Sequence, residues 1–557
     1  MKLSLILLLA GALLPRFALA QSATPAGAAG APAITAAEID GHLRFLSSDL
    51  LEGRAPATRG GRLAAEYIAS QLRAAGVEPG AAGSYFQEVP IDVVGSEPGT
   101  VRAVASGKAS RTLRYPDDVV VWAGSAADSS RAAGELVFVG YGAAAPEYRW
   151  DDFKGADLRG KVLLVIVNDP PAPASEPALF GGRAMTYYGR WTYKFEEAER
   201  RGAAGMLIIH TTEQAGYPWH TVVGSWAKEQ RMLPRAHPPA SGHPLPAPLG
   251  VRGWITDSAA SALLAQAGLD LAELRGRAAS RDFRPVPTGI TVDVSFRNRV
   301  EHLKSENVVG VVRGRDARLR DEYVALSAHW DHLGIGPAVG GDSIYNGASD
   351  NASGVSDLLA VARSTAAMRP APRRSLLFVF VTGEESGLLG SEFFGLQPTV
   401  PISSVVANLN VDGGNVLGRT RSLRVLGEDK SSLGASLARL AAGRGLRLSP
   451  EDHPERGAFY RSDHFSFAKV GVPSVSIGAG SDFVGRPREW GAQQGEDYTA
   501  HRYHQPSDEY RPDFDLSGAV QLSEIVRDFA LSLASSAQWP EWSKGAEFRR
   551  AKAGAVP

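Results

Sequence analysis

From Asn307 onward the chain repeats one pattern: a short, almost wholly apolar run, then a stretch with helical spacing. The runs are NVVGVV, EYVALSA, SLLFVFV, SVVANLNV, LRVLG and VPSVSIG, each bounded by Gly, Asp or Asn. Stretches such as SGVSDLLAVARSTAAM and SSLGASLARLAAGRG lie between them. A strand with one wet face alternates polar and apolar residues; a strand covered on both faces does not. The pattern therefore predicts an α/β domain with a mostly parallel central sheet flanked by helices. Further helices are expected upstream. One is capped by Thr35 and buries Ile39, Leu43 and Leu46; another over 60–76 buries Leu63, Tyr67, Ile68 and Leu72. A last helix near 516–534 turns Val520, Ile525, Phe529 and Leu533 inward.

Between about 100 and 290 the texture changes. Pro and Gly become frequent, and strand-like runs such as GELVFVGYG, LRGKVLLVIV and GMLIIHT alternate with loops. This stretch reads as a smaller β-rich domain set into a loop of the first, where insertions are tolerated.

The N-terminus, MKLSLILLLAGALLPRFALA, has a basic start, an apolar middle and a small-x-small end. Its apolar run is too short for a bilayer core of ~30 Å. It reads as a secretory signal cut after Ala20, the alternative being a retained anchor. The expected organisation is a signal over 1–20 and a flexible Ala/Gly/Pro linker over 21–33. The two segments of the main α/β domain follow over 34–100 and 291–543, with the insertion at 101–290 and a tail at 544–557. The protein is expected to be exported to the periplasm or medium, without stable membrane insertion.

Composition narrows the chemistry. Lys and Arg number 59 against 60 Asp and Glu, which leaves no electrostatic reason to expect nucleic acid. Cysteine is absent, which excludes thiolate nucleophiles, disulfides and sulfur-ligated metals.

In open α/β sheets the functional groups gather beyond the carboxyl ends of the strands. Here EYVALSA is followed by HWDH (329–332), and SLLFVFV by TGEES with Glu384 and Glu385. Asp412 follows SVVANLNV, Asp350 lies in GASDNASG, and HRYHQPSDEY (501–510) comes from a late loop. Any one of these has an ordinary explanation: a helix cap, a turn, a core histidine, a solvated loop. Together they deliver histidine and carboxylate groups from separate segments to one sheet edge, which points to a metal site. Two histidines and three carboxylates without sulfur suit Zn²⁺, with Mn²⁺ or Co²⁺ as substitutes. Five ligands exceed the needs of one catalytic zinc and suit two ions sharing a carboxylate.

The strings AHWDHLG, GASDNASGV, TGEESGLLGS, NLNVDGGN, YRSDHFSFAKVGVPSVSI and RYHQPSDEY resemble, in order, those of M28-type zinc aminopeptidases. LRGKVLLVIV…KFEEAERRGAAGMLIIHT is similar to a protease-associated (PA) domain. The resemblance implies two Zn²⁺ per chain, bridged by Asp350, with Glu385 and His504 completing one site and His329 and Asp412 the other. It implies a cis peptide after Asp350, Asp331 holding the His329 imidazole, and Glu384 as general base. A tyrosine supporting the oxyanion is expected, with Tyr460 as the candidate. His501 competes with His504 as ligand; His332, Asp463 and His464 are expected to support rather than bind. The implied activity is hydrolysis of N-terminal peptide bonds. A carboxypeptidase or dipeptidase stays open because Arg461, Arg486, Arg488 and Arg502 lie near the expected rim, and a non-catalytic receptor-like relative is the remaining alternative. Peptides are the expected partners; side-chain preference and oligomeric state are not legible.

Overall fold

The structure is a computed structural model that describes residues 30–235 and 245–550. The expected signal over 1–20 lies outside the described residues, as does most of the expected linker. Two helices open the described chain, α1 (Ala36–Leu46) and α2 (Arg59–Ala74). Thr35 caps α1 by accepting from the Glu38 amide at 3.3 Å, and Ile39, Leu43 and Leu46 are buried as expected. In α2 the buried stripe is Ala64, Ala65, Ile68, Ala69 and Leu72, while Leu63 is exposed. Ile68 and Leu72 are buried as expected and Tyr67 partly so; Leu63 is not, and small alanines lie against the neighbouring elements instead.

The main sheet is built from β1 (Phe86–Ser96), β2 (Val286–Val312), β3 (Tyr323–His329), β4 (Ser375–Val381), β5 (Val405–Asn410), β6 (Ser422–Leu426) and β7 (Ser474–Ala479). Its order is β1-β2-β4-β3-β5-β7-β6. The four central strands, β4, β3, β5 and β7, are parallel, and antiparallel pairs close both flanks. Every residue of β3, β4 and β5 is buried, which is why these runs carry no polar alternation. Alternate residues serve opposite cores. Val324, Leu326 and Ala328 pack with α1, α2, α3 (Ser353–Ala366) and α4 (Ser517–Ser535). Tyr323 and Ala325 face Phe394 and Phe467 on the other side.

β2 is long enough to belong to two sheets. Its C-terminal half pairs with β1 and β4; its N-terminal half pairs with 102–106 and 129–138 of a second sheet. That second sheet has a parallel core of Ser129–Phe138, Val162–Ile166, Gly205–His210 and Val251–Thr256. The boundary expected between 290 and 291 thus falls inside a continuous strand. β1 leaves the main sheet and β2 returns to it as an eleven-pair antiparallel ribbon, Asn298 opposite Ser96 through Val308 opposite Phe86.

Candidate metal centre and active site

Because β4, β3 and β5 are parallel neighbours, their carboxyl ends share one sheet edge. His329 is the last residue of β3 and lies opposite Val381, the last of β4. Gly383, at a φ of 69°, turns the chain there, and Glu384 and Glu385 follow directly. Asp412 lies two residues beyond β5. Asp350 sits in the irregular turn Ala348–Ala352 that leads into α3, and its peptide bond to Asn351 is cis. His504 comes from the loop after the helix Trp490–His501.

These side chains converge on Asp350. Its Oδ1 lies 3.2 Å from His329 Nε2, and its Oδ2 lies 3.4 Å from His504 Nε2. Asp412 Oδ1 is 3.2 Å from His329 Nε2, and Glu385 Oε2 is 3.0 Å from His504 Nε2. Two donor sets share one carboxylate: His329, Asp350 and Asp412 on one side, His504, Asp350 and Glu385 on the other. His504 Nε2 makes no hydrogen bond despite this company. His329 Nε2 meets Asp412 Oδ1 at hydrogen-bond distance, whereas His504 Nε2 converges on two carboxylates without a hydrogen bond, an arrangement a cation satisfies. The set, free of sulfur, fits zinc.

The electrostatics agree. Burial works against charge on His329, yet Glu384, Asp350 and Asp412 hold it protonated far above the usual histidine range. Burial opposes charge on His504 too, and Asp350 and Glu385 nevertheless raise it to about 10. Burial pushes the Glu384 carboxyl well above its usual range, reinforced by Asp412, Glu385 and Asp463 and opposed by His329.

Several expected residues sit differently. Asp331 Oδ1 is 3.8 Å from His329 Nδ1, beyond hydrogen-bond range; the imidazole faces the Asp331 carbonyl at 3.2 Å instead. The Asp331 Oδ1 accepts from the Glu384 amide at 3.2 Å, so it steadies the Glu384 turn directly. Tyr460 does not reach the cluster. Its hydroxyl donates to Glu547 Oε1 at 2.5 Å and accepts from Lys430 Nζ at 3.0 Å, because its loop packs against the inserted domain. His501 is exposed and pairs with Asp497, leaving His504 at the centre. His332 is buried, with Nδ1 2.7 Å from Glu385 Oε1. Asp463 and His464 are fully buried, and burial raises Asp463 to about 7 and lowers His464 to about 3.

Three residues escaped the sequence reading. Tyr503 stacks on His504 with ring centroids 3.8 Å apart. Burial raises its hydroxyl, and Asp350, Glu385, Glu384 and Asp412 add to that rise, although the residue as a whole is 46% exposed. Its place immediately before His504 was the available signal. Asp508 accepts from the Ser349 and Asp350 amides at 3.1 Å, fixing the bridging turn. Arg54, buried at 1% exposure, donates to the carbonyls of Trp330 (2.7 Å), Leu46 (3.2 Å), Gly347 (2.7 Å), Asp350 (3.2 Å) and Asn346. It ties the turn after β3 to the turn that carries Asp350, from nearly three hundred residues away in sequence.

The sequence model described as peptidase family M28 matches residues 307–530, which contain Asp350, Glu384, Glu385, Asp412, His329 and His504. This domain belongs to peptidase family M28. Among curated relatives, aminopeptidase NAALADL1 of Mus musculus is 30% identical over 204 residues, 36% of this chain and 25% of that protein. The probable leucine aminopeptidase 2 of Aspergillus oryzae is 27% identical over 232 residues, 39% of this chain and 43% of that protein. The chain thus spans less than half the length of either. Solved structures similar to the chain include an aminopeptidase from Aneurinibacillus sp. strain AM-1 (18% identity, 90% of this chain, 94% of that one, TM-score 0.47). A zinc aminopeptidase from Bacillus subtilis gives 18% identity, 93% and 98% coverage and a TM-score of 0.41. Among the described residues, no helix is long and apolar enough to cross a membrane.

Proposed function

We propose that the M28 domain is a di-zinc aminopeptidase that hydrolyses the N-terminal peptide bond of peptides. The observation that carries this reading is the division of Asp350 between two histidines, each with its own further carboxylate. His329 and Asp412 would hold one ion, His504 and Glu385 the other, and Asp350 both. When bound, the pair would supply Lewis acidity toward a water and the scissile carbonyl.

The chain's own residues do the rest. Glu384, on the same turn as Glu385 but outside both donor sets, takes the proton of the attacking water and returns it to the leaving amine. Asp331 holds the Glu384 amide, and so the angle at which that carboxylate meets the water. Tyr503, stacked on His504, offers its hydroxyl to the oxygen that gains negative charge. Arg54 and Asp508 hold the Asp350 turn in place.

The same proposal includes export directed by residues 1–20 and a PA-like character for residues 101–290. Metal analysis paired with assays on free and N-acetylated peptides tests the catalytic reading. Release of the N-terminal residue from the free peptide alone, dependent on about two zinc ions per chain, is the expected result. Equal cleavage of both peptides, or full activity without metal, overturns it.

A further inference from the structure

The two oxygens of Glu385 face two different histidines. Oε2 lies 3.0 Å from His504 Nε2, and Oε1 lies 2.7 Å from His332 Nδ1. A carboxylate only accepts, so at that distance Nδ1 carries the proton and donates it to Oε1. The other ring nitrogen, Nε2, is buried and has no partner among the described residues, so His332 hydrogen-bonds through Nδ1 alone. The turn that carries Asp350 holds this ring in place. The ring packs so closely on Gly347 that a methyl group there would lie 2.5 Å from Cγ and 2.6 Å from Cδ2. Arg54 fixes the Gly347 carbonyl at 2.7 Å, and the His332 amide donates to the Arg54 carbonyl at 3.4 Å. The His504 ring lies across it, centroids 5.7 Å apart at 73°.

Distances separate a histidine that binds an ion from one that steers a ligand. His332, Asp350 and Glu385 each offer a donor atom within 4.8 Å of the others, so proximity alone admits His332 as a ligand. Bonds of ~2.0–2.1 Å at tetrahedral angles, however, set a nitrogen and an oxygen on one zinc about 3.3 Å apart. His329 lies 3.2 Å from both Asp350 and Asp412, and His504 lies 3.4 Å from Asp350 and 3.0 Å from Glu385, all near that value. The 2.7 Å between His332 and Glu385 is too short for it and is the length of a hydrogen bond to a charged acceptor. A ligating carboxylate held from behind in this way is oriented before the ion arrives. Asp412, the corresponding carboxylate of the other set, has no such holder. Its one ion pair among the described residues is with His329, and its side chain is 27% exposed against 6% for Glu385.

We propose that His332 is a positioning residue that makes the two metal sites unequal. Its Nδ1–H occupies Glu385 Oε1 and leaves Oε2 as the oxygen turned toward His504 and the ion. This rests on the di-zinc reading above and adds no sixth ligand to it. The carboxylate of one site is preorganised; that of the other is not.

The test is zinc titration of the full-length protein, stripped of metal, against a competing chromophoric chelator. The native side chain is compared with His332→Asn, His332→Gln and His332→Leu. An Asn amide nitrogen is bonded to Cγ, as Nδ1 is, whereas a Gln amide nitrogen sits one bond further out, as Nε2 does. His332→Leu and His332→Gln should weaken one binding step by about 10–100-fold and leave the other unchanged. His332→Asn should restore most of that loss. The weakened step should be the one that Glu385→Gln removes and Asp412→Asn spares. Asn and Gln share their polarity and differ by one methylene, so a general loss of folding does not separate them. Equal affinities in the Asn and Gln variants, both steps weakened alike, or no change in any variant overturns the positioning role while leaving the di-zinc reading intact. A wild-type protein that binds no zinc overturns both.

Discussion

Asp350 gives one carboxylate oxygen to each histidine, Oδ1 at 3.2 Å from His329 Nε2 and Oδ2 at 3.4 Å from His504 Nε2. A residue shared in this way couples the two donor sets. Asp350→Asn should therefore weaken binding of both ions by at least about 100-fold, beyond what loss of a supporting residue costs. Titration with zinc checks it; retention of one tight site would mean the two sets are independent.

Glu384 and Glu385 are neighbours with different surroundings. Glu385 pairs with His332 and His504, whereas Glu384 pairs with neither, although it lies within reach of an ion together with His329 and Glu385. Glu384→Gln should keep both metals and lower kcat by about 10²–10⁴. Glu385→Gln should lose metal first. Metal content measured beside turnover separates the two, and equal metal loss would refute the division.

The two tyrosines should part in the same way. Tyr503→Phe is expected to lower kcat by about 10²–10³ with little change in stability. Tyr460→Phe should leave turnover near wild type and cost about 1–3 kcal/mol, because Glu547 loses a buried partner. Thermal melts and initial rates on both variants decide it.

Arg54→Met should destabilise the fold by at least about 3 kcal/mol, since several buried carbonyls lose their donor together. Arg54→Lys keeps the charge but not the fork and should fall between the two. If Arg54→Met melts like the wild type, the carbonyls have found other donors and the residue does not hold the bridging turn.

Asp152 supplies a pH signature remote from the metal centre. It is buried at 1% exposure, accepting from the Ala143 amide and Trp150 Nε1, and burial raises it to about 6. A carboxyl raised on folding binds more protons folded than unfolded between its unfolded value near 3.8 and about 6. Its contribution to stability is full below that window and is lost as pH rises through it, by up to about 3 kcal/mol. Urea unfolding across pH 4 to 6 should show this slope in the wild type and a flatter one in Asp152→Asn.

What the sequence determined by itself was local or periodic. The strands of the main sheet could be read from Val, Ile, Leu and Phe runs, because a strand buried on both faces has no polar alternation to obscure it. The helix ends at Thr35 and Gly76 followed from capping chemistry. His329, Glu384, Glu385 and Asp412 could be named because each stands directly after such a run, and a parallel sheet brings those ends together. The choice between tyrosines was different. Tyr460 and Tyr503 are equally plausible as letters, and only the packing of the 454–461 loop against the inserted domain turns one away while the His504 stack brings the other in. Arg54 left no signal at all, since its partners are backbone carbonyls, which every residue possesses. The shared strand β2 was likewise decided in three dimensions. Hydrophobic spacing records which face of an element is buried, but not which distant element buries it.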